Sequence, residues 1–88
     1  MSDQKNLVAE TISTLKQQRD ELALKIHLGA AEAKDEFASA QEKLDKMTEE
    51  YEPVKDAVEE SASQVFSALK LVGDEVMSSF DRIRKSLD

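Results

Sequence analysis

The stretch Thr48–Val54 (TEEYEPV) separates two long apolar stripes, and its proline decides how the chain is expected to fold. Apolar residues recur at steps of three and four from Val8 to Tyr51, and they do so again from Val54 to Leu87. Such steps place side chains on one face of a helix. The stripes consist of Val8, Ile12, Leu15, Arg19, Leu22, Ile26, Gly29, Ala33, Phe37, Ala40, Leu44, Met47 and Tyr51, and then of Val54, Val58, Ser61, Val65, Leu69, Val72, Val76, Phe80, Ile83 and Leu87.

Pro53 suits the first position of a second helix, because the N–H that it lacks would have no helical acceptor there. The pattern therefore predicts an all-α fold, an antiparallel two-helix hairpin or coiled coil. A single domain spans residues 1–88, with a helix over about 3–50, a turn over about 51–53 and a helix over about 53–87. When the stripes are paired outward from Pro53, the residue numbers of each pair sum to about 105, as for Met47 with Val58.

Two other architectures remain open. Gly29 costs a helix about 1 kcal/mol relative to alanine, and a break there gives three helices in a spectrin-like bundle. The apolar spacing continues through Gly29 without a reset, which favours the unbroken helix. Residues 48–52 contain no Gly, Asn or Asp for a left-handed cap, which also allows one kinked helix of about 80 residues in an extended coiled coil.

The predicted hairpin needs a partner chain. Two helices of a chain of 88 residues leave much of their apolar surface in water, and the absence of cysteine excludes a disulfide. Residues up to about Gln17 extend beyond the second helix, and further apolar residues lie off the seam. We expect a homodimer that forms a four-helix bundle, with a tetramer as the other assembly. Its interface is predicted at Leu7, Val8, Ile12, Leu15, Leu24, Leu28, Phe66, Leu71 and Met77.

Composition limits the partners and the compartment. Charged residues make up 35% of the chain and the net charge is −7, a balance that argues against nucleic acid or an anionic membrane as the main partner. No run approaches the ~20 apolar residues that span a bilayer. The polar first residues lack the hydrophobic core of a signal peptide. The expected location is the cytoplasm.

The sequence offers no set of residues for catalysis. His27 has Ala23, Leu24, Ala30 and Ala31 at the neighbouring helical positions, with no carboxylate to orient it. The acidic groups lack the Glu-x-x-His motif of carboxylate metal clusters, and the serines have no accompanying base. We predict no enzyme activity, no catalytic residue, no metal and no cofactor.

The segments Leu15–Leu22 (LKQQRDEL), Lys25–Leu28 (KIHL) and Ala31–Phe37 (AEAKDEF) resemble small bacterial coiled-coil proteins that carry no assigned activity. The resemblance implies a bacterial cytoplasmic protein without catalytic residues. The resulting interpretation is a non-enzymatic adaptor or scaffold that binds itself and an unidentified protein. The alternatives are an amphipathic coat on lipid or granules, and a small leaderless secreted helical hairpin.

Folding at Pro53 would gather acidic residues around Tyr51, an aromatic residue with a polar tip of the kind enriched in binding hot spots. One interpretation is an electrostatic docking site for a basic partner. The other is a solvated tip in which Tyr51 only closes the hairpin core. The predicted tip consists of Glu49, Glu50, Tyr51, Glu52, Asp56, Glu59 and Glu60.

Overall fold

The computed structural model describes the backbone of residues 3–56 and 59–87, with the side chains of residues 5–56 and 62–87. Helix α1 spans Asp3–Lys25, α2 spans Ala31–Tyr51 and α3 spans Glu59–Leu87. Short 3-10 turns follow α1 at Ile26–Leu28 and α2 at Glu52–Val54. The all-α prediction is confirmed, but the described residues form three α-helices rather than two.

Helix α3 is the centre of a three-helix bundle that measures 44 × 16 × 16 Å. It packs extensively against both α1 and α2, whereas α1 and α2 touch each other much less. Gly73 of α3 lies where all three helices approach. A Cβ atom at Gly73 would be 2.9 Å from Cγ2 of Thr11 on α1 and 3.1 Å from Cε of Met47 on α2. The missing side chain therefore permits this close approach.

The predicted continuous helix over 3–50 is wrong, because the chain bends between α1 and α2. Gly29 and Ala30 adopt extended conformations with ψ of 162° and 165°. The N–H of Gly29 donates to the carbonyl of Ile26 at 2.9 Å, and the N–H of Lys34 donates to the carbonyl of Ala30 at 3.1 Å. The three-helix bundle that the sequence left as an alternative is the architecture of the chain.

Burial of α1 explains why the chain bends. Val8, Ile12, Leu15 and Leu22 are all buried, and they are core residues of the single chain. Burying four such side chains is worth about 6–12 kcal/mol at 1.5–3 kcal/mol each. The bend forfeits a few helical hydrogen bonds, each with a net value of about 0.5–1.5 kcal/mol. Tertiary packing therefore outweighs the local preference for a straight helix.

The predicted register of the second helix is also wrong. The rings of Phe37 and Phe80 have centroids 6.1 Å apart, and Arg82 Nη2 lies 2.9 Å from a carboxylate oxygen of Glu36. The residue numbers of these pairs sum to 117 and 118 rather than 105. The cause is the turn, since α3 begins at Glu59 and not at Pro53. Two heptad stripes give nearly constant sums of paired residue numbers in any register. The sums therefore could not determine which residues of the two helices pair.

The apolar stripes form the core as predicted, and α3 contributes a wider face than expected. Most stripe residues with described side chains are buried or half-buried, whereas Val58 and Ser61 lie outside the described side chains. Ala62, Phe66 and Gly73 are also buried, although they lie off the predicted stripe. A helix that packs against two neighbours must bury more of its circumference than one in a hairpin. Phe66, predicted at an oligomer interface, is therefore a core residue.

Truncation of Leu15 separates the three-helix bundle from the hairpin. Leu15 is fully buried against the other helices, so Leu15→Ala should lower the free energy of unfolding by about 2–5 kcal/mol. Gln17→Ala on the same helix is the control, because Gln17 is exposed and surface changes stay within about 0.5 kcal/mol. Urea denaturation followed by circular dichroism measures both. Equal effects of the two variants would contradict the burial of α1.

The contact at Gly73 predicts a coupled pair of substitutions. Alanine is the better helix former by about 1 kcal/mol, but Gly73→Ala places its methyl group against Thr11 Cγ2. Thr11 cannot rotate freely, because its hydroxyl donates to the carbonyl of Leu7 at 2.8 Å. Overpacking of this kind costs about 1–3 kcal/mol, so Gly73→Ala should fail to stabilise the bundle.

Thr11→Ser removes the clashing methyl group and keeps the hydroxyl. The double variant Thr11→Ser/Gly73→Ala should therefore be more stable than the sum of the two single effects by about 0.5–2 kcal/mol. Thermal unfolding of the four members of this cycle tests the prediction. Strict additivity would mean that these two residues are not in contact.

Candidate functional site

The end of the bundle where α2 gives way to a 3-10 turn carries the predicted acidic tip. Glu49, Glu50, Glu52 and Asp56 are exposed there. The ammonium group of Lys55 donates to Glu52 at 3.1 Å. The carboxylate of Glu52 raises the pKa of Lys55 above its ordinary value, through this hydrogen bond and through its charge. The side chains of Glu59 and Glu60, predicted in the same tip, lie outside the described residues.

Tyr51 is only half-buried, yet it is attached to the core. Its ring centroid lies 6.4 Å from that of Phe66, with the rings tilted by 50°. Tyr51, Val54 and Val65 pack on the buried core from this end of the bundle. This contact supports the structural interpretation of Tyr51, in which it closes the core, while the surrounding carboxylates face water.

A small groove with an apolar floor begins beside the tip. It lies between α2 and α3, has a volume of about 190 Å³, and includes Met47 and Val72. Glu50 belongs both to the tip and to this groove. Lys43 of α2 and Glu75 of α3 connect its two walls, since Lys43 Nζ lies 3.6 Å from a carboxylate oxygen of Glu75. The sequence pattern did not predict this groove, because it depends on the register between α2 and α3.

A larger and more polar groove of about 540 Å³ runs between α1 and α3. Gln18 contributes from α1, and its buried Oε1 atom has no hydrogen-bond partner. Asp74 and Asp81 of α3 line the opposite wall. Asp81 is paired with Lys85 at 3.2 Å, so part of the negative charge of this groove is already compensated. The remaining lining residues are Met77, Ser78 and Arg84.

His27 lies exposed in the 3-10 turn that follows α1. Among the residues that the structure describes, no three His, Cys, Asp or Glu side chains are grouped so that they could hold a metal ion. Several acidic residues of α2 and α3 instead form separate ion pairs with basic residues. Examples are Arg82 with Glu36 at 2.9 Å and Arg19 with Asp45 at 3.9 Å.

The predicted oligomer interface needs correction at four positions. Val8, Ile12, Leu15 and Phe66 are between 0% and 6% exposed, and so they are not available to a second chain on the surface of the bundle. The N-terminal segment was assigned to a partner because the hairpin register left it unpaired. In the three-helix bundle the same residues pack inside their own chain.

The other predicted interface residues are exposed, but they do not form one strip. Leu24, Leu28 and Leu71 are 76%, 74% and 67% exposed, while Leu7 and Met77 are 42% and 39% exposed. Met77 shares a groove with Gln18, whereas Gly29, next to Leu28, approaches Leu87. Leu87 follows Met77 by ten residues, or about 15 Å of helix. Leu28 and Met77 therefore stand at different levels of the bundle.

No protein-family model, curated protein or solved structure matches this chain. In the part of the chain that is described, none of the helices is both long enough and apolar enough to cross a membrane. Two surfaces of the described residues have the chemistry to bind another molecule: the acidic tip with its groove, and the exposed leucines.

Proposed function

We propose that this chain is a non-enzymatic protein–protein interaction module, an adaptor or scaffold that acts as a homo-oligomer in the cytoplasm. One observation carries the proposal. Leu24, Leu28 and Leu71 are 67–76% exposed although the chain already has a complete core. Scattered surface leucines are common in proteins, but Leu24, at the end of α1, and Leu28, in the 3-10 turn that follows, lie at the same end of the bundle.

Magnitudes favour the leucines over the surface ion pairs as a source of binding energy. Burying a leucine is worth about 1.5–3 kcal/mol. An exposed ion pair such as Lys85 with Asp81 contributes about 0–1 kcal/mol. The homodimer thus remains a proposal, but its support moves from the N-terminal segment to the end of the bundle that carries Leu24 and Leu28.

The opposite end has the chemistry to receive a basic partner. Glu49, Glu50 and Asp56 are exposed, and the whole chain has a net charge of −7. Such a field accelerates the approach of a positively charged protein. The neighbouring groove with Met47 and Val72 can accept a small apolar side chain from the same partner.

A lipid or granule coat is the alternative of a different class, with a leaderless secreted helical protein as a third. In the folded chain, the apolar stripes that a coat would place on lipid are buried in the bundle, as shown by Val76 and Phe80 at 0% exposure. Coating therefore requires the bundle to open. The adaptor keeps these apolar stripes buried inside a helical bundle, and for that reason we favour it.

Vesicle flotation distinguishes the adaptor from the coat. The full chain should stay with the protein fraction when mixed with neutral or anionic vesicles, because its apolar stripes remain buried and its net charge is negative. Circular dichroism in the same mixtures reports any opening of the bundle. Flotation of most of the protein with neutral vesicles would favour the coat and contradict the adaptor.

Charge reversal at the tip tests partner binding. Affinity capture from native cells identifies the partner, and stopped-flow measurements with that purified partner follow. Glu49→Lys with Glu50→Lys should lower the association rate at low salt about ten-fold or more and flatten its salt dependence. Helicity should stay unchanged.

The control for this experiment reverses the same number of charges elsewhere on α2. Asp35→Lys with Glu42→Lys changes two exposed residues away from the tip. Its effect on the association rate should be clearly smaller than that of the tip variant. If both variants slow association equally, only the net charge matters and the tip is not the docking site.

A further inference from the structure

The bend between α1 and α2 is a short connection without side-chain caps. Between Asp3 and Tyr51, only Gly29 and Ala30 lie outside helical turns. Ala30 occupies the N-cap of α2 without a side-chain cap, and the 3-10 turn before Gly29 also has none. The best N-cap residues are Ser, Thr, Asp and Asn, and alanine is among the poorest. Local chemistry therefore does little to hold this bend.

The sequence across the bend is compatible with a straight helix. Ile26, Gly29 and Ala33 continue the apolar stripe at steps of three and four, so straightening leaves one uninterrupted apolar face. Ala30 and Ala31 are strong helix formers. Gly29 is the one residue in this segment that opposes the helix.

The contacts of α1 do not depend on which chain supplies it. Val8, Ile12 and Leu15 are buried in a core to which all three helices contribute. If the bend straightens in two copies, each α1 can occupy on the other copy the place that it leaves on its own. The core contacts of α1 with α2 and α3 are then made again between chains.

We propose that a second copy of this chain binds by exchange of α1. Each copy straightens residues 26–30 into a helix that runs from α1 through α2, and each α1 completes the three-helix bundle of its partner. The inference rests on the proposed homo-oligomer and specifies how that oligomer forms. Neither copy has a complete core without the other, because α1 is supplied in trans.

The geometry of the bundle permits this exchange to produce a closed dimer of two chains. Helix α1 runs antiparallel to α2 in the folded chain, since Arg19 and Asp45 approach to 3.9 Å while the bend joins the other ends. Two straightened helices can therefore lie antiparallel about a two-fold axis at the bend, which is a closed assembly. Leu24 and Leu28 lie within two turns of this axis, where the second copy brings new neighbours to the most exposed leucines.

Two substitutions at the bend should shift the equilibrium between the bent monomer and the exchanged dimer in opposite directions. In the bent chain, Gly29→Ala would put its Cβ atom 3.0 Å from Leu87 Cδ2 and 3.3 Å from Ala33 Cβ, which is tight packing. In the straight helix, alanine is favoured over glycine by about five-fold. Because two bends straighten per dimer, Gly29→Ala should raise the dimerisation constant by about twenty-five-fold or more.

Ala30→Pro should have the opposite effect and favour the bent monomer over the straight helix of the dimer. Ala30 already has a φ of −68°, the value that proline imposes, and Gly29 before it is extended, as a residue preceding proline prefers. In the straight helix the proline ring would clash with the carbonyl of Ile26 and remove a hydrogen bond. Ala30→Pro should therefore fold as a monomer and lose the dimer.

The experiment refolds the full chain from denaturant over a range of concentrations and measures mass by light scattering after gel filtration. Ser39→Ala, an exposed change within α2, is the control, because it alters helix propensity equally in both forms. An added cysteine pair, Arg19→Cys with Asp45→Cys, reports the exchange, since the chain has no other cysteine. A short crosslinker should join α1 and α2 of different chains in the isolated dimer and of one chain in the monomer.

The expected result is a dimer with interchain crosslinks. Gly29→Ala should increase the amount of this dimer, and Ala30→Pro should abolish it. A dimer that persists in Ala30→Pro, with crosslinks inside single chains, would overturn the exchange and leave the homo-oligomer standing. Monomers at every concentration for both the natural sequence and Gly29→Ala would overturn both. Binding of another protein at the acidic tip is measured separately and does not depend on either result.

Discussion

The packing of α1 against α3 is the interaction on which the rest of the structure depends. Val8, Ile12 and Leu15 can be buried within one chain only if α1 folds back beside α3. That requirement places the bend at the end of α1, and it gives α3 two neighbours instead of one. It also explains Gly73, whose missing side chain allows close contact with Thr11 and Met47 at once.

The sequence predicted which residues form the core far better than it predicted their partners. Spacing is a local property, so residues such as Leu22, Leu44 and Ile83 were assigned correctly from steps of three and four. The bend at Gly29 depends on the balance between local helix preference and packing against distant residues. The apolar spacing reports only the local preference. Phe66, apolar but off the stripe, was the signal of a helix with two neighbours, and the hairpin hypothesis assigned it to another chain.

The candidate surfaces divide between the two ends of the bundle. The tip could be predicted because Glu49, Glu50 and Glu52 adjoin the proline along the chain. The nearby groove could not, since it joins Met47 to Val72 through a register that heptad spacing does not determine. Tyr51 packs on Phe66, and therefore the tip relies on charge rather than on a free aromatic residue. The most exposed leucines, Leu24 and Leu28, lie at the other end.

The same dependence on α1 constrains how a second copy can enter. A chain whose α1 has left the bundle exposes Val8, Ile12 and Leu15 together with the surfaces that covered them, and burial of such side chains is worth about 1.5–3 kcal/mol each. The opened monomer is therefore rare, and exchange between folded chains is slow. During folding, α1 can pack either on its own chain or on a second chain, and the chain concentration determines which of the two is more frequent. Exchange should accordingly occur as chains fold together, after which the buried α1 residues preserve whichever form was made.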